Sequence, residues 1–437
     1  MKHTLLLTLL LTSASLAQTN YVALDGLHVP PFTNWLTAAT NIQDAVDAAL
    51  DGNLVLVMTG EYNSGGRPAP GQLLTNRLVV TTPITVQSVF GPQHTIILGS
   101  PNLYSLTDTT AVRCAVLENG AVLSGFTFTN SHSLSTGTPY DMLGGGILML
   151  NGAQISNCVI TQCTSIDGSA VFAISNCVIA TTVITRNDAH PWFSIVSCVD
   201  AYDSVIMHDC VLSHNQAPRD TPVYRFFNST IYNCTFHDTR MPAQFAGVPL
   251  VIYQGSSIVH SRICSNTAPG IVKIVRLAGA SMIACELHDN SAGLICTHEA
   301  GCTTVVERCA FTRHANFAIS ATDQRIVVNN CMFRRNALTT GNVGFLYNSV
   351  SYDNNTSISA DAFFNCVIMS NNLNYWSAST MFYYCYLPVA DGTGTITSGP
   401  VFRDAANGDF RLRHDSPCIN AGTNTAEMGA WDFAGQP

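Results

Sequence analysis

A short phrase centred on one residue recurs about every 24 residues along most of this 437-residue chain, which predicts a stacked array. "NNCMFRRN", residues 329 to 336, is one copy. Aligned on their central residue, here called the slot, the copies are 24, 28, 24, 27, 24, 24, 22 and 35 residues apart. The last spacing indicates an insertion. The slot residues are Cys158, Thr182, Cys210, Cys234, Ser261, Cys285, Cys309, Cys331 and Cys366.

The positions around the slot also keep their chemical character. A large apolar residue lies two positions after the slot and another lies three before it. The alternation from the slot onward predicts a β-strand, and runs such as "VYRFF" and "PLVIY" complete about three short strands per period. Asn is common five positions after the slot, at Asn187, Asn215, Asn266, Asn290, Asn336 and Asn371. It is also common one position before the slot, at Asn157, Asn233, Asn330 and Asn365.

A unit this short cannot bury its own apolar face, but stacked copies can. Parallel strands stacked about 4.8 Å apart place like residues above like. We therefore predict an all-β fold, a single parallel β-helix solenoid. Asn at the bends fits because it tolerates a left-handed backbone, and stacked Asn side chains can hydrogen-bond from coil to coil.

The sixteen cysteines fit an interior column better than a disulfide framework. A free Cys is small and apolar enough to be buried, and Thr182 and Ser261 replace it at the slot without a change of size. Disulfides between inward-facing neighbours on adjacent parallel strands would be strained. We expect mostly unbridged, buried thiols. Cys296 and Cys302 lie outside the slot, and a local bridge between them stays open.

The first residues, "MKHTLLLTLLLTSASLAQ", have the pattern of a secretory signal peptide. Lys2 supplies the positive start, a leucine-rich run the apolar core, and a small-residue site predicts cleavage near Ala17. The apolar run is too short to span a bilayer, and no other transmembrane stretch appears. We expect a signal peptide at 1–17, an N-terminal cap helix and first coil at 18–83, repeats at 84–400 and a C-terminal cap at 401–437.

The segment before the repeats predicts a short capping helix. Thr40 to Gln43 fits a capping box. One apolar face is formed by Ile42, Ala45, Val46, Ala49 and Leu50. Such a helix would cover the open end of the first coil, whose edge would otherwise invite pairing with another chain.

Three segments carry a resemblance to a known group. "IQDAVDAALDGNLVLVMTGEYN" resembles the opening of right-handed parallel β-helix proteins of the pectin-lyase-like superfamily. "ITVQSVFGPQHTIILG" and "GFTFTN" resemble the first coils of its bacterial secreted and surface members. "VFRDAANGDFRLRHDSPCINAGTN" resembles the end of choice-of-anchor proteins. The resemblance implies a right-handed solenoid that is secreted or displayed on a bacterial cell surface.

The low and negative charge of the chain argues against some classes of partner, and its sequence motifs do not indicate a specific catalytic activity. Charged residues make up 11%, the formal net charge is −9, and Lys2 and Lys273 are the only lysines, so binding to nucleic acid or to an anionic membrane is not expected. Pectate lyases of the resembled fold use clustered Asp for calcium and Arg or Lys as base, but no matching motif is present. No cofactor is certain, and Zn or Ca is the expectation for any bound metal.

Stacking predicts one cluster of metal-ligating residues. Three positions after the slot, on the outward face, successive coils hold His237, Cys264 and His288. His and thiolate are good zinc ligands, and the adjoining Asp238 and Asp289 could orient the two His rings. Arg262 and Glu286 lie nearby on the same face. The alternatives are an ordinary polar surface, and acid–base chemistry by His237, Asp238, His288 or Glu286.

Aromatic residues in or near the bends predict a glycan-binding surface, because exposed rings can stack on sugars. We select Trp192, Tyr224 and Trp376 for this role, alongside Tyr202, Tyr253 and Tyr375. The alternative is that these rings cap the core or pack loops.

Two functions remain in view. The first is a secreted or surface-exposed protein, monomeric, with a structural, adhesive or glycan-binding role toward a polysaccharide or cell-surface glycan. The second is a polysaccharide lyase or glycoside hydrolase with an atypical site on an exterior strand face. The second rests on analogy of fold alone.

Overall fold

The structure is a stack of coils, and most coils contribute one short strand to each of three long sheets, which are parallel except where Arg67–Pro68 pairs antiparallel with Thr75–Val80. The computed structural model describes residues 18–100, 110–189, 197–217, 221–241, 247–268, 273–297, 302–321, 326–338, 343–356, 359–372, 379–389 and 391–423. In a full coil the chain runs through sheet C, then sheet A, then sheet B. The predicted all-β parallel solenoid is confirmed.

The three sheets have these strands in the described residues. Sheet A contains Thr19–Val22, Leu54–Val57, Thr85–Ser88, Val122–Ser124, Gln154–Ser156, Val178–Ala180, Ile206–His208, Thr230–Tyr232, Ser257–Val259, Ser281–Ile283, Val305–Glu307, Val327–Asn329, Val343–Tyr347, Ala360–Phe364 and Met381–Tyr383. Sheet B contains Gly60–Tyr62, Thr95–Leu98, Thr127–His132, Val159–Ser165, Val183–Thr185, Asp188–Ala189, Val211–Ser213, Thr235–His237, Arg262–Cys264, Glu286–His288, Ala310–Thr312, Met332–Arg334, Val350–Tyr352 and Val367–Met369. Sheet C contains Arg67–Pro68, Thr75–Val80, Val112–Leu117, Ile147–Leu150, Val171–Ile174, Val199–Tyr202, Tyr224–Phe227, Leu250–Tyr253, Val275–Ala278, Leu294–Thr297 and Ile319–Ala321. The remaining elements are the α-helix Ile42–Asp47, the 3-10 turns Pro139–Asp141 and Ala405–Asn407, and the hairpin Phe402–Asp404 with Asp409–Leu412.

The slot residues form one interior column. Thr235 pairs with Arg262, and Arg262 pairs with Glu286, so the slots just before them lie directly over one another. Those slots are Cys234, Ser261 and Cys285, each at most 3% exposed. The Cys234 amide donates to the Ser261 hydroxyl at 3.1 Å. The predicted stacking is confirmed.

The predicted insertion before Cys366 is wrong, because an extra, shorter coil fills the gap. Met332 pairs with Val350, which pairs with Val367, so Ser349 occupies the slot between Cys331 and Cys366. Ser349 lies 18 residues after Cys331 and 17 residues before Cys366. These coils have no sheet C strand in the described residues, which shortens them.

No disulfide joins any of the sixteen cysteines, all of which lie in the described residues. Fourteen are buried, and Cys264 and Cys302 are partly exposed. Burial raises the pKa of the Cys158 thiol to about 11, which keeps it protonated. The prediction of unbridged thiols is confirmed, and the local bridge between Cys296 and Cys302 does not form.

A ladder of buried Asn side chains joins successive coils at the turn after sheet B. The Asn266 side-chain amide donates to the Phe236 carbonyl at 3.0 Å and to Asn290 Oδ1 at 3.1 Å. Equivalent bonds join Asn187 to Asn215, Asn336 to Asn354 and Asn354 to Asn371. Thr239 and His314 interrupt the series. The Asn residues one before the slot have φ between 50° and 53°, at Asn157, Asn233, Asn330 and Asn365.

The N-terminal helix covers the first coils as expected, with different details. It begins after Asn41, whose side chain accepts from the Asp44 amide at 3.0 Å, so the capping box predicted at Thr40 is wrong. Ile42, Ala45 and Val46 join the core, whereas Leu50 is 69% exposed. The helix ends at Asp47, so Leu50 lies beyond it and is not part of its apolar face. In the described residues, no helix is long and apolar enough to cross a membrane.

The Asn ladder predicts a test of the stacking energy. Asn266→Ala removes the acceptor for the buried Thr239 amide and both side-chain donations, and should lower the free energy of unfolding by roughly 2–4 kcal/mol. Asn372→Ala, which removes one exposed hydrogen bond to Asn355, is the matched control. Denaturant unfolding measures both. Equal losses in the two variants would show that the ladder adds nothing to stability.

Candidate functional site

The outer face of sheet C carries charged and aromatic side chains side by side. Residues two apart on a strand share a face. Asp200 and Tyr202 lie on the outer face of one coil, and Arg225 and Phe227 lie in register with them on the next. Their strand neighbours face the core. We call the residues Asp167, Asp200, Tyr202, Arg225, Phe227 and Tyr253 the sheet C surface.

Two carboxylates share one guanidinium at this surface. Arg225 Nε donates to Asp200 Oδ1 at 2.6 Å, and Arg225 Nη2 donates to both oxygens of Asp167 at 2.6 Å. Asp167 reaches the sheet from the connection that precedes the strand Val171–Ile174. The Ser197 hydroxyl donates to Asp167 Oδ1 at 3.1 Å and helps to hold it there.

The cluster has two carboxyl groups but only one guanidinium, and burial makes the unbalanced negative charge unfavourable. Two ionised carboxylates and one guanidinium carry a net charge of −1. Burial disfavours a net negative charge, so one of the carboxylates favours taking up a proton. Burial, and then the nearby Asp200 charge, raise the pKa of Asp167 to about 8. Burial lowers the pKa of Arg225, but the hydrogen bond and charge of Asp200 outweigh it and leave the pKa raised. The raised pKa means that the cluster favours keeping one proton at neutral pH.

Stacked rings run beside this cluster. Tyr202 and Phe227 stack with centroids 4.6 Å apart and planes 7° apart, and Phe227 and Tyr253 stack at 3.9 Å and 7°. All three rings are partly exposed. Because each ring covers its neighbour's face, the partly exposed ladder presents ring edges to solvent. Apolar edges beside hydroxyls and charged groups are a surface chemistry that suits sugars.

Of the three residues selected for glycan binding, only Tyr224 lies in the part of the chain that the structure describes. Tyr224 is 1% exposed, and its hydroxyl bonds to the Asn215 amide at 2.9 Å and the Thr239 hydroxyl at 3.0 Å. The prediction for Tyr224 is wrong, because the ring points into the core and cannot touch a sugar. Trp192 and Trp376 lie outside the described residues.

The predicted trio on sheet B is aligned as expected. His237 pairs with Cys264, and Cys264 pairs with His288, on three successive coils, with all three side chains partly exposed. His237 Nδ1 lies 2.7 Å from Asp238 Oδ2, and His288 Nδ1 lies 2.7 Å from Asp289 Oδ2.

No metal centre is assembled around this trio. Throughout the part of the chain that the structure describes, no three His, Cys, Asp or Glu side chains converge to hold a metal ion. The His237–Cys264–His288 metal site stays a prediction.

Sequence reasoning missed the Asp167–Asp200–Arg225 cluster because its members are up to 58 residues apart. The signal was present in the runs "VDAY" and "YRFF". Aligning these two strands with each other, rather than through the distant slot, places Asp200 beside Arg225. Nothing in the local sequence indicates that Asp167 reaches them.

Comparison with known proteins supports the architecture. A family model described as "Right handed beta helix region" matches residues 223–386. Together with the three sheets of stacked strands, this match supports the right-handed parallel β-helix fold that the sequence predicted. The finer resemblance to choice-of-anchor proteins stays a prediction. No curated protein sequence matches the chain.

Several solved structures are similar at low identity. The pectate lyase Pel9A is 14% identical, with 96% of this chain and 97% of that chain covered and a TM-score of 0.39. A mannuronic acid specific polysaccharide family 6 lyase from human gut microbiota is 12% identical, with 80% and 77% covered and a TM-score of 0.40. The A-module of the mannuronan C-5 epimerase AlgE4 from Azotobacter vinelandii is 13% identical, with 82% and 95% covered and a TM-score of 0.38.

The raised pKa of Asp167 predicts how stability depends on pH. The carboxyl keeps its proton up to about pH 8 when folded but loses it near pH 3.8 when unfolded. The contribution of Asp167 to the free energy of unfolding is therefore largest below pH 4. It falls as the pH rises toward 8, by up to about 1.4 kcal/mol per pH unit. Asp167→Asn should flatten this slope in unfolding curves measured from pH 5 to 9. The exposed Asp361→Asn should keep it, and an unchanged slope in Asp167→Asn would contradict the assignment.

Proposed function

We propose that the protein is an exported glycan-binding β-helix whose sheet C surface contacts a polysaccharide. The observation that carries the proposal is the ladder of Tyr202, Phe227 and Tyr253, partly exposed and one column away from the Asp200–Arg225 pair. Rings supply apolar contact area, and tyrosine hydroxyls and charged groups supply hydrogen bonds that fix orientation.

Glycan binding is favoured over catalysis as the function of this surface, because the charged side chains of the cluster are buried. Asp200 is fully buried and the Arg225 side chain is 10% exposed, so neither presents much surface to a ligand. The aromatic ladder is open to contact along its edges. The leucine-rich start of the sequence favours export, and the distant likeness to polysaccharide lyases agrees with a glycan as partner.

Glycan binding is tested with a panel of neutral and acidic polysaccharides in affinity electrophoresis. Tyr202→Ala and Tyr253→Ala should each weaken binding about tenfold, because each variant loses apolar contact area at the ring edge and a hydroxyl. Tyr232→Ala removes an exposed ring that stacks on His208 on sheet A and should leave this binding unchanged. Failure of the unmodified protein to bind any glycan would refute the proposal, as would equal losses in all three variants.

Cleavage of a glycan is the second candidate, and the raised pKa of Asp167 favours it. A lyase and a glycoside hydrolase both need a proton for the departing glycosidic oxygen, and a carboxyl that is protonated at neutral pH can donate it. Asp167 is the most exposed member of the cluster, at 14% for its side chain.

Incubation of the same panel, with assays for new reducing ends and for unsaturated products, tests this activity. Asp167→Asn should abolish turnover and retain binding, because only the proton donor is lost. Asp361→Asn, which changes an exposed carboxyl elsewhere, should turn over normally. No product from the unmodified protein after long incubation would remove this candidate and leave glycan binding standing.

A further inference from the structure

A polar groove lies on a different side of the solenoid, along the turn that follows sheet B. In three successive coils this turn has the same form: an outward residue with a left-handed backbone, a buried ladder residue, and a second outward residue. The φ angles of the first position are 54°, 51° and 56°. The two outward rows bound an open groove of about 300 Å³, lined by His214, Gln216, Asp238, Arg240, Ser265 and Thr267.

The buried residues beneath the groove make its base rigid. Thr239 takes the ladder position in the middle coil, and its amide donates to Asn266 Oδ1 at 3.0 Å. The Tyr224 hydroxyl reaches this gap from the core and bonds both Asn215 and Thr239. Tyr224 therefore supports the groove from inside, and the two rows are held in fixed register.

The groove contains a cation, Arg240, for which the described residues supply no partner. Among the described residues, no hydrogen bond or ion pair engages the Arg240 guanidinium. Two other arginines on this edge are paired: Arg313 with Asp289 at 2.6 Å, and Arg335 with Asp353 at 3.0 Å. Asp238, in the groove, is engaged instead through Oδ2 by His237 at 2.7 Å, which leaves Oδ1 available.

The side chains of the groove match a polyhydroxyl ligand. A carboxylate accepts from hydroxyls, a guanidinium donates to them, and the amide and hydroxyl groups of Gln216, Ser265 and Thr267 do both. An acidic chain would meet the Asp238 carboxylate and a protein of net charge −9. A neutral ligand meets neither penalty. Three rungs span about 10 Å, enough for a short saccharide segment.

We propose that this groove binds a neutral sugar unit, with Asp238 Oδ1 accepting from one ring hydroxyl and Arg240 donating to an adjacent one. The groove is separate from the sheet C surface and does not depend on it. Because no formal charge is neutralised on binding, the affinity for a neutral sugar is insensitive to salt.

The test is calorimetric titration with neutral oligosaccharides built of glucose, mannose, xylose or galactose, and with oligogalacturonate as the acidic comparison. Arg240→Met keeps the length of the side chain and removes its donors, and should weaken binding of the neutral ligand at least tenfold. Asp238→Asn should do the same. Arg335→Met, which alters a paired arginine on the same edge, should bind normally. Unchanged melting temperatures confirm that the variants fold.

Each other outcome overturns the groove assignment. Binding of oligogalacturonate alone, with affinity that falls steeply between 50 and 500 mM salt, would show an anion site. Neutral binding that Arg240→Met leaves intact and Tyr202→Ala removes would place the sugar on the sheet C surface instead, which would support the proposed function and end this one. Absence of binding by every neutral oligosaccharide would also end it.

Discussion

Burial of each coil against the next is the interaction on which the whole molecule depends. A coil of about two dozen residues has too little interior to fold alone, so its apolar side chains are covered only when a like coil lies above and below. Ile263, for example, pairs with Phe236 on one side and Leu287 on the other, and all three are at most 1% exposed. The cysteine column follows from the same constraint, because it fills a narrow interior column with small side chains.

This constraint acts only on inward-facing positions and leaves the outer faces free to carry chemistry. Parallel stacking places outward residues of neighbouring coils within reach of one another, so groups distant in sequence become a cluster. Arg225 meets Asp200 because their strands are adjacent, and Tyr202 meets Phe227 for the same reason. The turn after sheet B adds a second outward row beside each ladder residue. Both proposed binding surfaces are therefore products of register rather than of local motifs.

The interior could be predicted from the sequence because it repeats, and the exterior could not because it does not. The Cys234–Ser261–Cys285 file follows from regular spacing, and the alignment of His237, Cys264 and His288 follows with it. The extra coil at Ser349 was missed because it is shorter than its neighbours and has Ser in the slot. The direction of Tyr224 was missed because its strand lies far from the slot, across connections of variable length. Asp167 reaches its partners through such a connection, which no periodic pattern describes.

The most direct test of the central claim is the position of the sulfur atoms in a crystal, measured by anomalous scattering. Cys285, Cys309 and Cys331 occupy the slot of three successive coils, so their sulfurs should form a straight file with steps of about one rung, roughly 4.8 Å. Cys264 should lie off this file, on the outer face. Sulfur peaks scattered through the molecule, or a file in which these three are not consecutive, would contradict the stacked-coil account and both surfaces derived from it.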